Sequence, residues 1–141
     1  MTRPLILIVE DDDATAELLS DLLHAEGYDV ETLSAPRTVD DVRRLRPDLI
    51  LLDLVFPDLK GEDLLRDVRS DHELHELPVV LLSAVPHLAD MAARLPVQGY
   101  VSKPFELDEL LQVIGSQIPR APLGERRMDL RLSPAGSGPR L

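Results

Sequence analysis

Three stretches of unbroken aliphatic residues punctuate the chain: Leu5-Ile6-Leu7-Ile8-Val9, Leu49-Ile50-Leu51-Leu52 and Val79-Val80-Leu81-Leu82. Apolar runs of this length with no polar alternation suit strands covered on both faces, as in a parallel sheet. Each run stops abruptly at a polar residue: Glu10, Asp53 or Ser83. Two shorter strands are predicted at Asp29–Leu33 and around Tyr100-Val101. Between the strands the period becomes helical. From Ala14, the residues Leu18, Leu19, Leu22 and Leu23 are predicted to share one face, with Asp12 or Asp13 capping the first turn and Gly27 stopping the helix. Val39, Val42 and Leu45 mark a second helix, ended by Pro47, and Leu64, Leu65 and Val68 a third. Pro86 is placed to open a short fourth helix with Leu88, Met91, Ala92 and Leu95 as its buried stripe, closed by Pro96. Leu107, Leu110, Leu111, Ile114 and Ile118 form the clearest amphipathic helix, stopped by Pro119.

Five strands alternating with five helices imply right-handed βαβ crossovers, hence an α/β fold with a parallel sheet and helices on both faces. The doubly wound order 2-1-3-4-5 accounts best for this pattern. It puts the topological switch point between strands one and three, where ligands of open α/β sheets bind. The acidic segments after those two strands therefore open into one crevice.

Composition narrows the function classes. The 141 residues contain no cysteine, which removes disulfides, thiolate metal sites and thiol nucleophiles together. No stretch reaches the apolar length of a transmembrane helix, and no signal-peptide cleavage site follows Met1, so the expected location is cytoplasmic. A formal net charge of -11 argues against nonspecific contact with nucleic acid or an anionic membrane. One domain over residues 1–119 is expected, followed by a flexible basic tail over 120–141, with five arginines against Glu125 and Asp129. Met128, Leu130 and Leu132 alternate with charged residues within it, a faint strand pattern.

The strand ends carry the chemistry. Glu10 and Asp11 leave strand one where Asp53 leaves strand three, and three carboxylates gathered on an apolar sheet edge repel one another. A hard divalent cation such as Mg²⁺ relieves that repulsion with oxygen ligands, and the main-chain carbonyl of Val55 is close enough in sequence to join them. An acidic turn by itself is as often a solvated helix cap, but the other strand ends change the balance. Ser83 brings a hydroxyl and Lys103 an ammonium to the same crevice, so an anion attached to Asp53 meets Mg²⁺, the lysine and the serine on three sides. This pattern reads as a phosphoryl site. His72 and His75, with Glu73 and Glu76, read as an exposed polar loop rather than a metal site, and His24 and His87 are isolated.

With Glu10-Asp11, Asp53 followed by Pro57 and Gly61, Ser83-Ala84, Tyr100, and Lys103-Pro104-Phe105, the chain from Leu5 to about Ile118 resembles the receiver domain of two-component response regulators, of the single-domain, flavodoxin-like type. The resemblance implies that Asp53 accepts a phosphoryl group from the phosphohistidine of a histidine kinase or histidine phosphotransfer protein. It also implies direct Mg²⁺ binding by Asp11, help from Glu10 through water, and a cis peptide between Lys103 and Pro104. Ser83 and Tyr100 become the switch pair: the hydroxyl moves to the phosphoryl oxygen and the ring fills the vacated space. Such a protein catalyses only its own modification. Helix four, strand five and helix five are the expected output face, with a phosphorylation-dependent dimer among its uses, and the downstream protein partner is left open.

Departures from that pattern carry their own expectations. Val55 and Val85 occupy the two positions that tune hydrolysis of the acyl phosphate in the family; neither side chain can hydrogen-bond an attacking water, so slow self-dephosphorylation is expected. The segment from Ser83 to Lys103 is about two residues shorter than usual. A phosphatase of the haloacid dehalogenase type needs a second acid where Val55 stands, and a nucleotide carrier needs a phosphate loop where Glu10-Asp11-Asp12-Asp13 stands. Two further alternatives are an interaction module that no longer uses phosphorylation and the receiver part of a truncated winged-helix regulator.

Overall fold

The fold is that of a computed structural model, which describes residues 3–34, 38–54 and 61–118. The elements alternate as β1 (Leu5–Val9), α1 (Asp13–Ala25), β2 (Asp29–Leu33), α2 (Val39–Leu45), β3 (Leu49–Leu52), α3 (Gly61–Ser70), β4 (Val79–Ser83), α4 (Leu88–Arg94), β5 (Gly99–Ser102) and α5 (Leu107–Gly115). All strand pairs are parallel, in the order β2-β1-β3-β4-β5. β1 pairs with β3 so that Val9 lies beside Leu52, and the residues that follow each strand start at the same level of the sheet.

The unbroken apolar runs follow from burial on two sides. In β1, Ile6 and Ile8 join Leu19, Leu23, Leu110 and Ile114 in one core, whereas Leu7 and Val9 join Leu64, Leu65 and Val68 in the other. With successive side chains on opposite faces, a strand roofed by α1 and α5 on one side and by α2, α3 and α4 on the other has no position left for a polar residue. Every residue of β3 and β4 is buried.

Local signals explain the helix ends. Asp12 caps α1, accepting from the Thr15 amide at 2.8 Å and from its hydroxyl at 2.5 Å. Gly27 leaves the helix at φ 103°, a conformation in which other residues are strained. The expected stripe of α1 is corrected: Ala16, Leu19 and Leu23 face the core, while Leu18 is 52% exposed. Two adjacent leucines stand about 100° apart on a helix, so they cannot share the centre of one stripe. The start of α4 is corrected as well. Pro86 lies outside the helix, which opens at Leu88 after His87 adopts the left-handed conformation at φ 61°. Pro119 and residues 120–141 lie outside the described residues.

A contact that no sequence pattern announces fixes the far end of the sheet. Arg69, in the last turn of α3, donates to the carbonyls of Pro96 at 2.8 Å and Leu77 at 2.7 Å and to Gln98 Oε1 at 2.7 Å. The same Oε1 accepts from the Val79 amide. One guanidinium thereby joins α3, the entry to β4 and the entry to β5.

Candidate functional site

The site stands where the sheet ladder extends one residue past the strands. The Asp53 amide donates to the Val9 carbonyl at 3.1 Å, the Glu10 amide to the Leu33 carbonyl at 3.0 Å, and the Lys103 amide to the Ser83 carbonyl at 3.0 Å. These bonds set the backbones of Glu10, Asp53 and Lys103 before any side chain is considered.

Glu10, Asp11 and Asp53 each offer a carboxylate oxygen, and the three oxygens lie within 4.8 Å of one another. Glu10 and Asp53 are buried and Asp11 is exposed, so the cluster opens to solvent through Asp11. Lys103 reaches over from β5, with Nζ 2.6 Å from Glu10 Oε1 and 3.1 Å from Asp53 Oδ2. The second Glu10 oxygen accepts from the Asp12 amide at 3.1 Å. Burial raises the Glu10 pKa above the usual carboxylate value, aided by the Asp53 charge and opposed by Lys103 and the Asp12 amide. For Lys103, burial acts downward, but hydrogen bonds and charge attraction to Glu10 and Asp53 outweigh it, and its pKa is raised. One ammonium among three carboxylates leaves the cluster short of positive charge. An all-oxygen donor set, part buried and open on one side, has the chemistry of a hard-cation site that keeps water in its shell.

The remaining predicted residues are placed as follows. Ser83 is fully buried at the end of β4, and its Oγ accepts from the Val85 amide at 3.4 Å. Tyr100 is in β5, beside Leu81, and is 40% exposed. Val85 is half-buried in the loop after β4. The Lys103–Pro104 peptide bond is cis. Val55, with Pro57 and Asp58, lies outside the described residues. His75 Nδ1 lies 3.2 Å from the His72 carbonyl in an exposed turn, and neither histidine belongs to the acidic cluster.

Gly61 carries a role that the motif alone did not reveal. A Cβ built there falls 2.8 Å from the Asp53 carbonyl oxygen and 3.2 Å from Leu54 Cα. The first residue of α3 thus abuts the main chain of Asp53, an approach open only to glycine. The signal was a glycine opening an otherwise well-patterned helix, where a better helix former is the usual choice.

The family model described as the response regulator receiver domain matches residues 6–115. Over 121 residues the chain is 36% identical to the DNA-binding response regulator MtrA of Mycolicibacterium smegmatis, covering 84% of this chain and 52% of that protein. The chain thus spans about half the length of the curated relatives it matches. The receiver domain of the sensor histidine kinase PA1611 from Pseudomonas aeruginosa PAO1, solved with a magnesium ion coordinated in the active site cleft, superposes with a TM-score of 0.71 at 26% identity, covering 83% of this chain and 98% of that one. The chemotaxis protein CheY4 of Vibrio cholerae gives a TM-score of 0.74 at 23% identity, with 83% and 100% covered, and shares the fold.

Proposed function

The chain belongs to the response regulator receiver domain family of two-component systems, and from that premise we propose that Asp53 accepts a phosphoryl group from the phosphohistidine of a histidine kinase or histidine phosphotransfer protein. The observation that carries the assignment is the buried Asp53 carboxylate held 3.1 Å from Lys103 Nζ within a cluster of three acids. An Asp53 oxygen attacks phosphorus, the phosphorus–nitrogen bond breaks, and the imidazole leaves with the electron pair. Lys103 stabilises the charge on the transferring oxygens, and the backbone bond to Val9 holds the nucleophile in place. Glu10 and Asp11, with Asp53, are the residues that would hold Mg²⁺, joined by the Val55 carbonyl. That ion supplies charge neutralisation for an in-line transfer between anions.

The receiver family in general has only autophosphorylation and dephosphorylation activity. This chain accordingly acts as a switch rather than a turnover enzyme. Phosphorylation takes Asp53 from one negative charge to about two and adds acceptor oxygens. The Ser83 hydroxyl gives up its bond with the Val85 amide to reach one of them, and the Tyr100 ring repacks toward the space left behind.

The output is contact with a protein partner. MtrA is described as DNA-binding, but no direct nucleic-acid contact is assigned to this chain: α1 and α5 carry five acids (Asp13, Glu17, Asp21, Asp108, Glu109) and no lysine or arginine. No helix among the described residues is long and apolar enough to cross a membrane.

Incubation with acetyl phosphate and Mg²⁺, followed by intact mass spectrometry, tests the assignment. One added phosphate that disappears in Asp53→Ala is expected. Steady phosphate release would identify a hydrolase, and an unmodified protein would identify an interaction module without phosphorylation.

A further inference from the structure

The two ends of α4 are held differently. Just past its close, the Pro96 carbonyl accepts from Arg69 Nε at 2.8 Å, and the Gln98 amide donates to the Val79 carbonyl at 2.9 Å. At its opening, His87 stands in the cap position and makes no side-chain bond to the first turn, so the leading amides of the helix receive no side-chain acceptor from it. The loop before it is tied to β4 through one long bond, from the Val85 amide to Ser83 Oγ at 3.4 Å.

His87 is also strained. Its φ of 61° and ψ of 34° place it in the left-handed well, which costs a residue other than glycine about a factor of ten in population. The sequence around it prefers another arrangement. Pro86 has the fixed φ suited to a first helical position, and the residue before a proline is biased toward the extended conformation that a cap residue needs. With His87 right-handed, the helix opens at Pro86. The carbonyls of Val85 and Pro86 then receive the amides of Ala89 and Asp90, just as the His87 carbonyl already receives that of Met91 at 3.0 Å.

We propose that α4 has two lengths and that His87 is the joint between them. The helix opens at Leu88 while Ser83 Oγ holds the Val85 amide, and at Pro86 once that hydroxyl turns to a phosphoryl group on Asp53; this step rests on Asp53 being the acceptor. Release of the one long bond frees residues 84–86, the strain at His87 is relieved, and two amides of the first turn gain carbonyls. Because Arg69 fixes the far end, the change stays in the first turn instead of displacing the whole helix. It re-aims the exposed His87 side chain beside Asp90 and Arg94, so a protein partner touching that end of α4 reads the state of Asp53 directly.

Full chain labelled with ¹³C and ¹⁵N is compared before and after treatment with acetyl phosphate and Mg²⁺, with phosphate occupancy read by intact mass on the same sample. On phosphorylation the Cα shifts of Pro86 and His87 are expected to move to helical values, and a contact between Pro86 Hα and the Ala89 amide proton to appear. His87→Gly, free of strain in the left-handed turn, is expected to take up phosphate to the same extent while its long form falls about tenfold. His87→Ala is expected to raise the long form about threefold without phosphate. A phosphorylated parent in which Pro86 and His87 stay non-helical overturns the two-length helix and leaves Asp53 as the acceptor. Without phosphate uptake the acceptor reading fails, and the unphosphorylated variants decide the joint: the Pro86–Ala89 contact in His87→Ala but not in His87→Gly supports it, and equal behaviour of the two overturns it.

Discussion

Adding a single methyl group at Gly61 probes how closely α3 is seated against the acceptor strand. In Gly61→Ala the new Cβ falls 2.8 Å from the Asp53 carbonyl oxygen, 3.2 Å from Leu54 Cα and 3.3 Å from Leu54 Cδ2. Comfortable carbon–oxygen contacts begin at about 3.3 Å, so roughly half an ångström must be found. Two of the three obstructing atoms belong to the main chain, which cannot rotate aside as a side-chain tip does. Overpacking of this kind costs about 2 kcal/mol, equivalent to a fall of roughly 8 °C in Tm for a domain near this size. The strain lands on the peptide of Asp53, and since a 1 Å misplacement can cost about a hundredfold in rate, phosphorylation by acetyl phosphate is expected to slow about tenfold. Two other glycines supply the controls. Gly99→Ala meets the Val113 Cγ1 methyl at 2.8 Å, a side-chain contact that lowers Tm without slowing phosphorylation. Gly115→Ala meets nothing within 4 Å, and in the last turn of α5 it is expected to stabilise by up to ~1 kcal/mol. Thermal melts by circular dichroism and rates by mass spectrometry measure all three. A Gly61→Ala protein that melts and phosphorylates like the parent would refute the assignment of Gly61 as the residue that seats α3 against Asp53.

Three further perturbations follow from the same geometry. Lys103→Met leaves buried Glu10 and Asp53 without their shared cation; urea unfolding without metal is expected to show a loss of about 2 kcal/mol, reduced from the value for a fully buried pair because Lys103 is partly exposed, and Mg²⁺ should restore more stability to the variant than to the parent. Asp71 is held below its ordinary pKa of 3.8 by Arg43 and by the amides of Glu73 and Leu74, so its contribution is complete above that value and is lost as pH falls through the lower folded value; melts of Asp71→Asn should lie below the parent at pH 7 and converge with it in strong acid. With valine at position 85, the phosphoryl group is expected to persist for minutes rather than seconds, and Val85→Asn, by offering a hydrogen bond worth ~1.4 kcal/mol to the attacking water, should shorten that lifetime about tenfold; a parent half-life of seconds would contradict this.

Strand order and the gathering of Glu10, Asp11, Asp53 and Lys103 at the candidate site were legible because both depend on patterns local to the chain. An aliphatic run records burial on two faces, and the residue ending the run is delivered to the sheet edge whatever surrounds it, which is how Glu10, Asp53 and Ser83 were located; Lys103 follows a shorter strand with only Val101 fully buried, and was placed from the alternation of strands and helices. What escaped depends on partners far apart in sequence. Nothing near Arg69 signals that it will hold the Pro96 carbonyl, 27 residues on, and Arg43 gives no local sign of its contact with Asp71, 28 residues on. The exposed Leu18 shows the opposite limit: apolar identity alone does not decide which of two adjacent leucines turns inward. The opening of α4 was misplaced because the rule for proline at a first helical position is permissive, and here His87, in the left-handed conformation, intervenes before the helix begins.

The main-chain bonds that carry the ladder past the strands have a mechanical meaning. Glu10 and Asp53 repel each other beyond what their shared Lys103 offsets, yet their amides are tied to Leu33 and Val9, so the backbone has little freedom to let the acids drift apart in the absence of a metal ion. A site of this kind is a socket rather than a clamp: it is assembled when the sheet forms, so an arriving ion would meet donor backbones already in place.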